Sequence, residues 1–237
     1  GVRLVLGTCA WAAMVHMACL LCPKASRVRA LFYVLCAIKY HLTFWTSRTT
    51  PNGLAFPLAT VALTHVVHGR HAYKGLALLA ATAMMLRLEL VCLAVPAYLW
   101  TWWHHQRRFV YVFMTGAVTC AGSIALSVLV DSYFWRKRFL WPEGHAVIFN
   151  VIEGRSAEWG VSPPWTYVVR DLPRILFAAF PLALLGCTRR SSFRSPLVLL
   201  ICTHVGLMSF LAHKEWRFLV YIVPLCNMLA AQGASML

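Results

Sequence analysis

Residues 109–130 read FVYVFMTGAVTCAGSIALSVLV, with no charged side chain between Arg108 and Asp131. A helix needs about 20 mostly apolar residues to cross the hydrocarbon core of a bilayer, and this stretch is long enough to do so. Further apolar stretches occupy roughly 3–22, 30–45, 53–68, 75–99, 173–187, 195–212 and 219–237. The composition agrees. The chain is 60% hydrophobic and 12% charged, with a mean hydropathy of +0.68, against about 45–50% apolar and about 25% charged in an ordinary soluble domain. That leaves too little polar surface for a soluble globular domain, a disordered chain or a secreted disulfide scaffold. The expected fold class is an all-α polytopic membrane protein.

Charge then orders the spans. A net charge of +15 would suggest nucleic acid in a soluble protein, but here the cations sit in short clusters between apolar runs. Lys24, Arg27 and Arg29 form one cluster, and Arg70, His71 and Lys74 a second. His104 to Arg108 form a third, and Arg189, Arg190 and Arg194 a fourth. Cytoplasmic loops carry the excess of Lys and Arg, so these four are assigned to the cytosol and no nucleic-acid partner is expected. The chain opens at Gly1 and ends at Leu237 within an apolar run, so it is expected to be a fragment. Most of the nine cysteines lie in apolar segments, as small hydrophobes. Cys19 and Cys22 make a lone C-x-x-C with no second pair to complete a zinc site.

The stretch 75–99 lies between two basic clusters, too short for two crossings and misplaced for one. A re-entrant hairpin broken near Arg87-Leu88-Glu89 resolves this, because non-helical backbone at membrane depth is tolerated where protein buries it. Arg87 and Glu89 are expected to pair as a structural ion pair, intramembrane charges being costly alone. With that hairpin, every acid except Glu89 falls on the non-cytosolic face or its boundary, and so does the turn Thr46 to Asn52. The segment 131–172 is too long for a passive connector. Its Trp135, Trp141, Trp159 and Trp165 suit either interface anchors or a lid lying on the membrane.

Three constellations carry chemistry. His213-Lys214-Glu215-Trp216-Arg217-Phe218, followed by Tyr221, would put Lys214 and Arg217 on one face if a helix began there, with His213 four residues from Arg217. Cations at a helix start suit a phosphate, and Glu215 suits orienting one of them or binding a sugar hydroxyl. Arg48 lies among hydroxyls in Thr46-Ser47-Arg48-Thr49-Thr50-Pro51-Asn52. Asp131, in Asp131-Ser132-Tyr133-Phe134-Trp135, fits a sugar-binding carboxylate, a general base or a helix cap, and spacing does not choose among them. The glycine-rich phosphate loops, the nucleophile elbow and HExxH are missing from the sequence. No His/Asp/Glu cluster calls for a metal, and no cofactor is expected.

The segment His213 to Phe218 with Tyr221 resembles the H-K-E-x-R-F signature of the dolichyl-phosphate-mannose-dependent mannosyltransferases of the endoplasmic reticulum. These are multi-span enzymes of the GT-C type grouped as glycosyltransferase family 22. Ser47 to Asn52, Leu86-Arg87-Leu88-Glu89, Asp131 to Trp135, Trp141-Pro142-Glu143-Gly144, and Trp159-Gly160 before Ser162-Pro163 follow in the family's order. The resemblance covers essentially the whole chain, 1–237, read as a partial transmembrane domain with 131–172 as a lumenal loop. Ala212 stands where the family usually has Pro, and Val161 where it often has Thr. Trp141 to Gly144 and Trp159-Gly160 are most similar to the α-1,6 branch, which acts on Man7GlcNAc2-PP-dolichol in N-glycan precursor assembly. The GPI-anchor and α-1,2 branches are the alternatives, and a transporter the alternative from another class.

The resemblance implies mannose transfer, with inversion, from dolichyl phosphate mannose to a lipid-linked oligosaccharide. The site would face the lumen of a multi-pass endoplasmic reticulum membrane protein, among its lipids. Lys214, Arg217, Arg48 and His213 would hold the donor phosphate, and Glu215 and Asp131 would bind or orient sugar. The family's catalytic acidic residues belong to a first lumenal loop upstream of Gly1. This stretch alone is therefore expected to lack the general base and to be inactive by itself.

Overall fold

The computed structural model describes residues 1–104, 108–189 and 195–237. Residues 105–107 of the third basic cluster, and Arg190 and Arg194 of the fourth, lie outside the described residues. The described residues are helical, with no strand among them.

Helix α1 (Val2–Leu21) is followed by α2 (Arg27–Ala37), α3 (Tyr40–Thr46), α4 (Pro51–His68) and α5 (Ala72–Met85). A short 3₁₀ turn, Leu88–Leu90, leads into α6 (Val91–His104) and the long α7 (Phe109–Trp135). After α8 (Pro142–Val147) and several irregular turns come α9 (Leu172–Leu176), α10 (Ala179–Cys187) and α11 (Leu197–Ser209). A 3₁₀ segment, Trp216–Ile222, then runs into α12 (Val223–Ala234). Val2–Leu21, Phe109–Trp135 and Trp216–Ala234 are long and apolar enough to cross a membrane by length and composition.

Two expected spans are interrupted, and the interruptions meet. The stretch 30–45 breaks between α2 and α3, where Lys39 adopts an extended backbone conformation. The stretch 173–187 breaks between α9 and α10 at Phe177, whose φ of 46° cannot continue a helix. A broken helix leaves terminal carbonyls without partners. The Leu176 carbonyl freed in this way accepts from the buried Lys39 ammonium. One lysine buried in an apolar stretch thus explains why neither region is a single straight span. The span expected at 109–130 is instead longer, because α7 runs without a break through Asp131 to Trp135.

The hairpin expected at 75–99 is present. Helices α5 and α6 are each about 21 Å long at 1.5 Å per residue, short of the ~30 Å hydrocarbon core. The Tyr98 hydroxyl donates to the Leu76 carbonyl at 3.2 Å. Residue 87 lies midway between those two, so α6 runs back along α5 from the break at Arg87.

Helix α12 forms the centre, with ten of its twelve residues buried. It packs on α10 through Gly186 and Gly233, where a Cβ on either would strike the backbone carbonyl of Leu229 or Leu182. Small residues let two helix backbones approach where lipid gives no hydrophobic drive for association. Ahead of it, the segment Trp216–Ile222 carries the sequence motif toward the hairpin tip.

Candidate functional site

The tip of the α5–α6 hairpin is where separate motifs meet. Ending α5 at Met85 and starting again at Leu88 leaves backbone groups of both helices unpaired. Trp141-Pro142-Glu143-Gly144 supplies their partners. The Trp141 indole N–H donates to the Met84 carbonyl at 2.9 Å, and the Glu143 carboxylate accepts the Leu88 N–H at 2.7 Å. Pro142 opens α8, where its missing N–H costs nothing. Gly144 is required because the Trp141 ring occupies the space a Cβ would fill. Burial pushes the Glu143 carboxyl above its ordinary pKa, opposed by the Leu88 N–H and the Arg87 charge.

On the other side of the tip, Arg87 donates to Glu89 at 2.5 Å. The other carboxylate oxygen of Glu89 accepts from the Asn52 amide at 2.7 Å, and that amide also donates to the Tyr221 hydroxyl at 3.0 Å. Asn52 is held in the first turn of α4. Thr50 caps that helix by accepting the Gly53 N–H at 3.2 Å, and Pro51 takes the first helical position. Four parts of the chain, represented by Asn52, Arg87, Trp141 and Tyr221, are therefore joined at one place.

The segment after α11 does not begin as a helix. Glu215 is extended, with φ −120° and ψ 135°, and the 3₁₀ turn starts at Trp216. This corrects the expected helical placement of Lys214 and Arg217 on one face. In extended chain successive side chains point to opposite sides. His213 and Glu215 accordingly meet, with Nε2 to Oε1 at 3.2 Å, and Arg217 donates to the same oxygen at 2.7 Å. Lys214 turns away and is buried. Its ammonium donates to the carbonyls of Leu211 at 2.6 Å and Ser162 at 3.1 Å, and desolvation lowers its pKa. The Ser162 N–H returns to the Ala212 carbonyl at 3.0 Å, so the Trp159 to Pro164 turn is pinned beside the segment. The Tyr167 hydroxyl adds a further tie. It accepts the Glu215 N–H at 3.2 Å, and burial raises its pKa.

Trp216 packs edge-on against His41 and Trp45, with centroids at 4.9 and 5.1 Å. Together with Leu42, Ile175 and Arg217 these rings line a small apolar crevice. Arg48, just beyond Trp45, sets its guanidinium 4.2 Å from the Phe44 ring centroid. Asp131 accepts from Ser127 in its own helix at 2.6 Å. Among the described residues neither Arg48 nor Asp131 shares a hydrogen bond or ion pair with the Glu215 group. No group of three or more metal-ligating side chains is found among the described residues.

The structure thus brings together His213, Glu215 and Arg217, and separately Arg87 and Glu89. It turns the Lys214 side chain away, onto the Ser162 and Leu211 carbonyls. Sequence reasoning placed Asn52 and Glu143 only within motifs, read Trp141 as an interface anchor or part of a lid, and assigned Tyr167 no role. The Thr50-Pro51 pair is a legible cap signal that points toward Asn52. Nothing local marks Glu143 as the partner of Leu88.

The chain is similar to the "Probable Dol-P-Man:Man(7)GlcNAc(2)-PP-Dol alpha-1,6-mannosyltransferase" of Schizosaccharomyces pombe. They are 32% identical over 99% of this chain and 43% of that protein. It is also 32% identical to the alpha-1,6-mannosyltransferase of the same description from Arabidopsis thaliana, over 89% of this chain and 42% of that protein. A "GPI alpha-1,2-mannosyltransferase 3" of Danio rerio matches at 31% over 44% of this chain and 19% of its own length. The chain therefore spans less than half the length of these curated relatives. No solved structure matches. The model of one family, the Alg9-like mannosyltransferases, matches residues 1–237, and the ordered polar joint just described lies wholly within that match: the chain belongs to the Alg9-like mannosyltransferase family.

Proposed function

We propose that this chain forms the donor-phosphate end of an enzyme that moves mannose from dolichyl phosphate mannose to Man7GlcNAc2-PP-dolichol in α-1,6 linkage, at the lumenal face of the endoplasmic reticulum membrane. One observation carries this reading. Glu215 holds together His213, from the extended segment, and Arg217, from the 3₁₀ turn that follows, fixing the Arg217 guanidinium at the edge of an apolar crevice. The α-1,6 relatives are 32% identical over 89–99% of the chain, whereas the GPI α-1,2 relatives that match about three quarters of it are 24% identical, which supports the α-1,6 acceptor.

In the transfer, the bond between the anomeric carbon of mannose and the phosphate oxygen breaks, and its electron pair stays on the phosphate. The acceptor hydroxyl oxygen bonds that carbon from the opposite face, and its proton passes to a carboxylate base. Preorganised cations aimed at charge that develops during reaction are worth more than cations that bind substrate and transition state equally. Arg217, kept in orientation by Glu215, is the principal group for this, with His213 beside it. Lys214 serves by clamping the Trp159 to Pro164 turn. We place Arg48 at the outer edge of the same face, and Asp131 toward the acceptor sugar.

The test uses cells lacking the gene. They should accumulate lipid-linked oligosaccharide with seven mannoses, rescued by the full-length protein but not by its Arg217→Ala form. A normal oligosaccharide profile with incomplete GPI anchors would move the acceptor to the sister branch. A normal profile with intact anchors would overturn the reading.

A further inference from the structure

We propose that Arg87, beyond pairing with Glu89, forms with Arg217 a two-arginine seat for the donor phosphate around Phe218; this rests on the mannosyl-transfer reading and assigns its second cation. Arg87 comes from the hairpin tip and Arg217 from the segment before α12. Their guanidinium carbons both lie 5.7 Å from the centroid of the one Phe218 ring, so they are at most twice that distance apart. An aromatic face attracts a cation without neutralising it, and the ring keeps the two like charges at a set spacing.

Neither arginine is saturated. A guanidinium has five N–H donors. Arg87 gives one Nη to Glu89, while its Nε is buried with no acceptor in the protein. The Arg87 and Arg217 side chains remain 23% and 38% exposed, so an anion can reach both. An ion pair that served only to hold the hairpin would not need a buried donor left open beside a second arginine. The ligand chemistry follows from charge. A mannosyl phosphodiester carries one negative charge, and the polyprenyl phosphate that leaves carries nearly two. The second arginine is therefore matched to the charge that appears as mannose departs. Glu89, fixed by Asn52, which also bonds Tyr221, holds Arg87 in place for this role.

The experiment uses the full-length protein in lipid nanodiscs, a short-chain polyprenyl phosphate mannose as donor and the lipid-linked oligosaccharide as acceptor. Arg87→Gln combined with Glu89→Gln removes the ion pair while keeping an acceptor for Asn52. The double variant should keep the wild-type thermal midpoint, lose about a hundredfold in kcat and raise the donor KM, with the acceptor KM unchanged. Wild-type turnover, or an effect confined to the acceptor KM, would overturn the proposal. Should the double variant fail to fold, Arg87→Lys keeps the pair but loses the planar fork. Polyprenyl monophosphate should then inhibit it several-fold more weakly than wild type, and unchanged inhibition would overturn the proposal. Inorganic phosphate in a parallel arm separates recognition of the phosphate from recognition of its lipid. If the wild type transfers no mannose, the functional reading fails on its own, and polyprenyl monophosphate binding by wild type and Arg87→Lys still decides the seat.

Discussion

The hairpin tip and the C-terminal end of α7 are similar in sequence, each setting charged residues beside large hydrophobic ones where an apolar helix stops. The fold uses them differently. At the tip, residues 84–89 bond to Asn52, Trp141 and Glu143 from two other elements. At the end of α7, Asp131 bonds Ser127 one turn back, and Ser132 caps the nearby Leu140 N–H. Tyr133, Phe134 and Trp135 there are 77%, 75% and 66% exposed. The cause lies in the backbone. A broken helix exposes donors and acceptors that must find partners elsewhere, whereas an unbroken one satisfies itself and leaves its side chains to local contacts or lipid.

The sharpest way to break this contrast is Glu89→Ala. It leaves a largely buried guanidinium without its carboxylate and the Asn52 amide without its acceptor. The expected loss is about 3 kcal/mol, at the low end for a broken buried pair because Arg87 keeps some exposure. Thermal unfolding in detergent measures it. Arg87→Gln with Glu89→Gln should restore the wild-type midpoint, since removing both charges leaves neither unpaired. A Glu89→Ala protein as stable as wild type would mean that the tip is no joint at all.

Next in size is Trp141. Trp141→Ala should cost about 2–3 kcal/mol, combining lost packing on Gly144 with an unpaired Met84 carbonyl. Trp141→Phe keeps most of the packing and should cost about 1 kcal/mol, the net worth of one hydrogen bond. Equal losses for the two would assign the whole effect to the bond and none to the ring. The same assay reads both.

These two regions also show how far the sequence could be read. The break near Arg87 was legible, because charge asymmetry and length together forbid one or two crossings of 75–99. The partners of that break were not. Leu88 and Glu143 are far apart in the chain, and no local pattern encodes a bond between a carboxylate and a distant backbone N–H. The interruption at Lys39 was hidden for a related reason. A lone lysine in an apolar run reads as a tolerated charge until the Leu176 carbonyl it satisfies is known. At His213 to Arg217 the residue types were legible and the backbone was not, since the same letters serve a helix start or an extended run. A helix start would set Lys214 beside Arg217, and the extended backbone at Glu215 turns it away.

A smaller effect tests the electrostatics of the tip. Burial raises the Glu143 pKa, so the folded protein holds this proton more tightly than the unfolded chain does. Stability from this group is therefore full below its ordinary carboxylate pKa and declines as pH rises to the raised value. Glu143→Gln keeps an acceptor for the Leu88 N–H and removes the titration. Its thermal midpoint, compared with wild type, should lack that decline and lie slightly higher at neutral pH. A midpoint that falls on acidification through the same window would reverse the sign and place Glu143 among the carboxylates stabilised by their charge.

The smallest effect is expected at the other end of the comparison. Asp131→Asn keeps the size of the side chain and an oxygen that can accept from Ser127, on a half-exposed helix end, so stability should change by less than about 0.5 kcal/mol. Turnover by the full-length protein adds the second reading. If Asp131 is only a local partner of Ser127, turnover stays near wild type and matches that of Ser127→Ala. If Asp131 faces the acceptor sugar, turnover falls while stability holds, and Ser127→Ala lowers it less. That second pattern would make the end of α7 part of the site although no bond ties it to the hairpin tip. The two regions would then differ in how they are held in place, while serving one reaction.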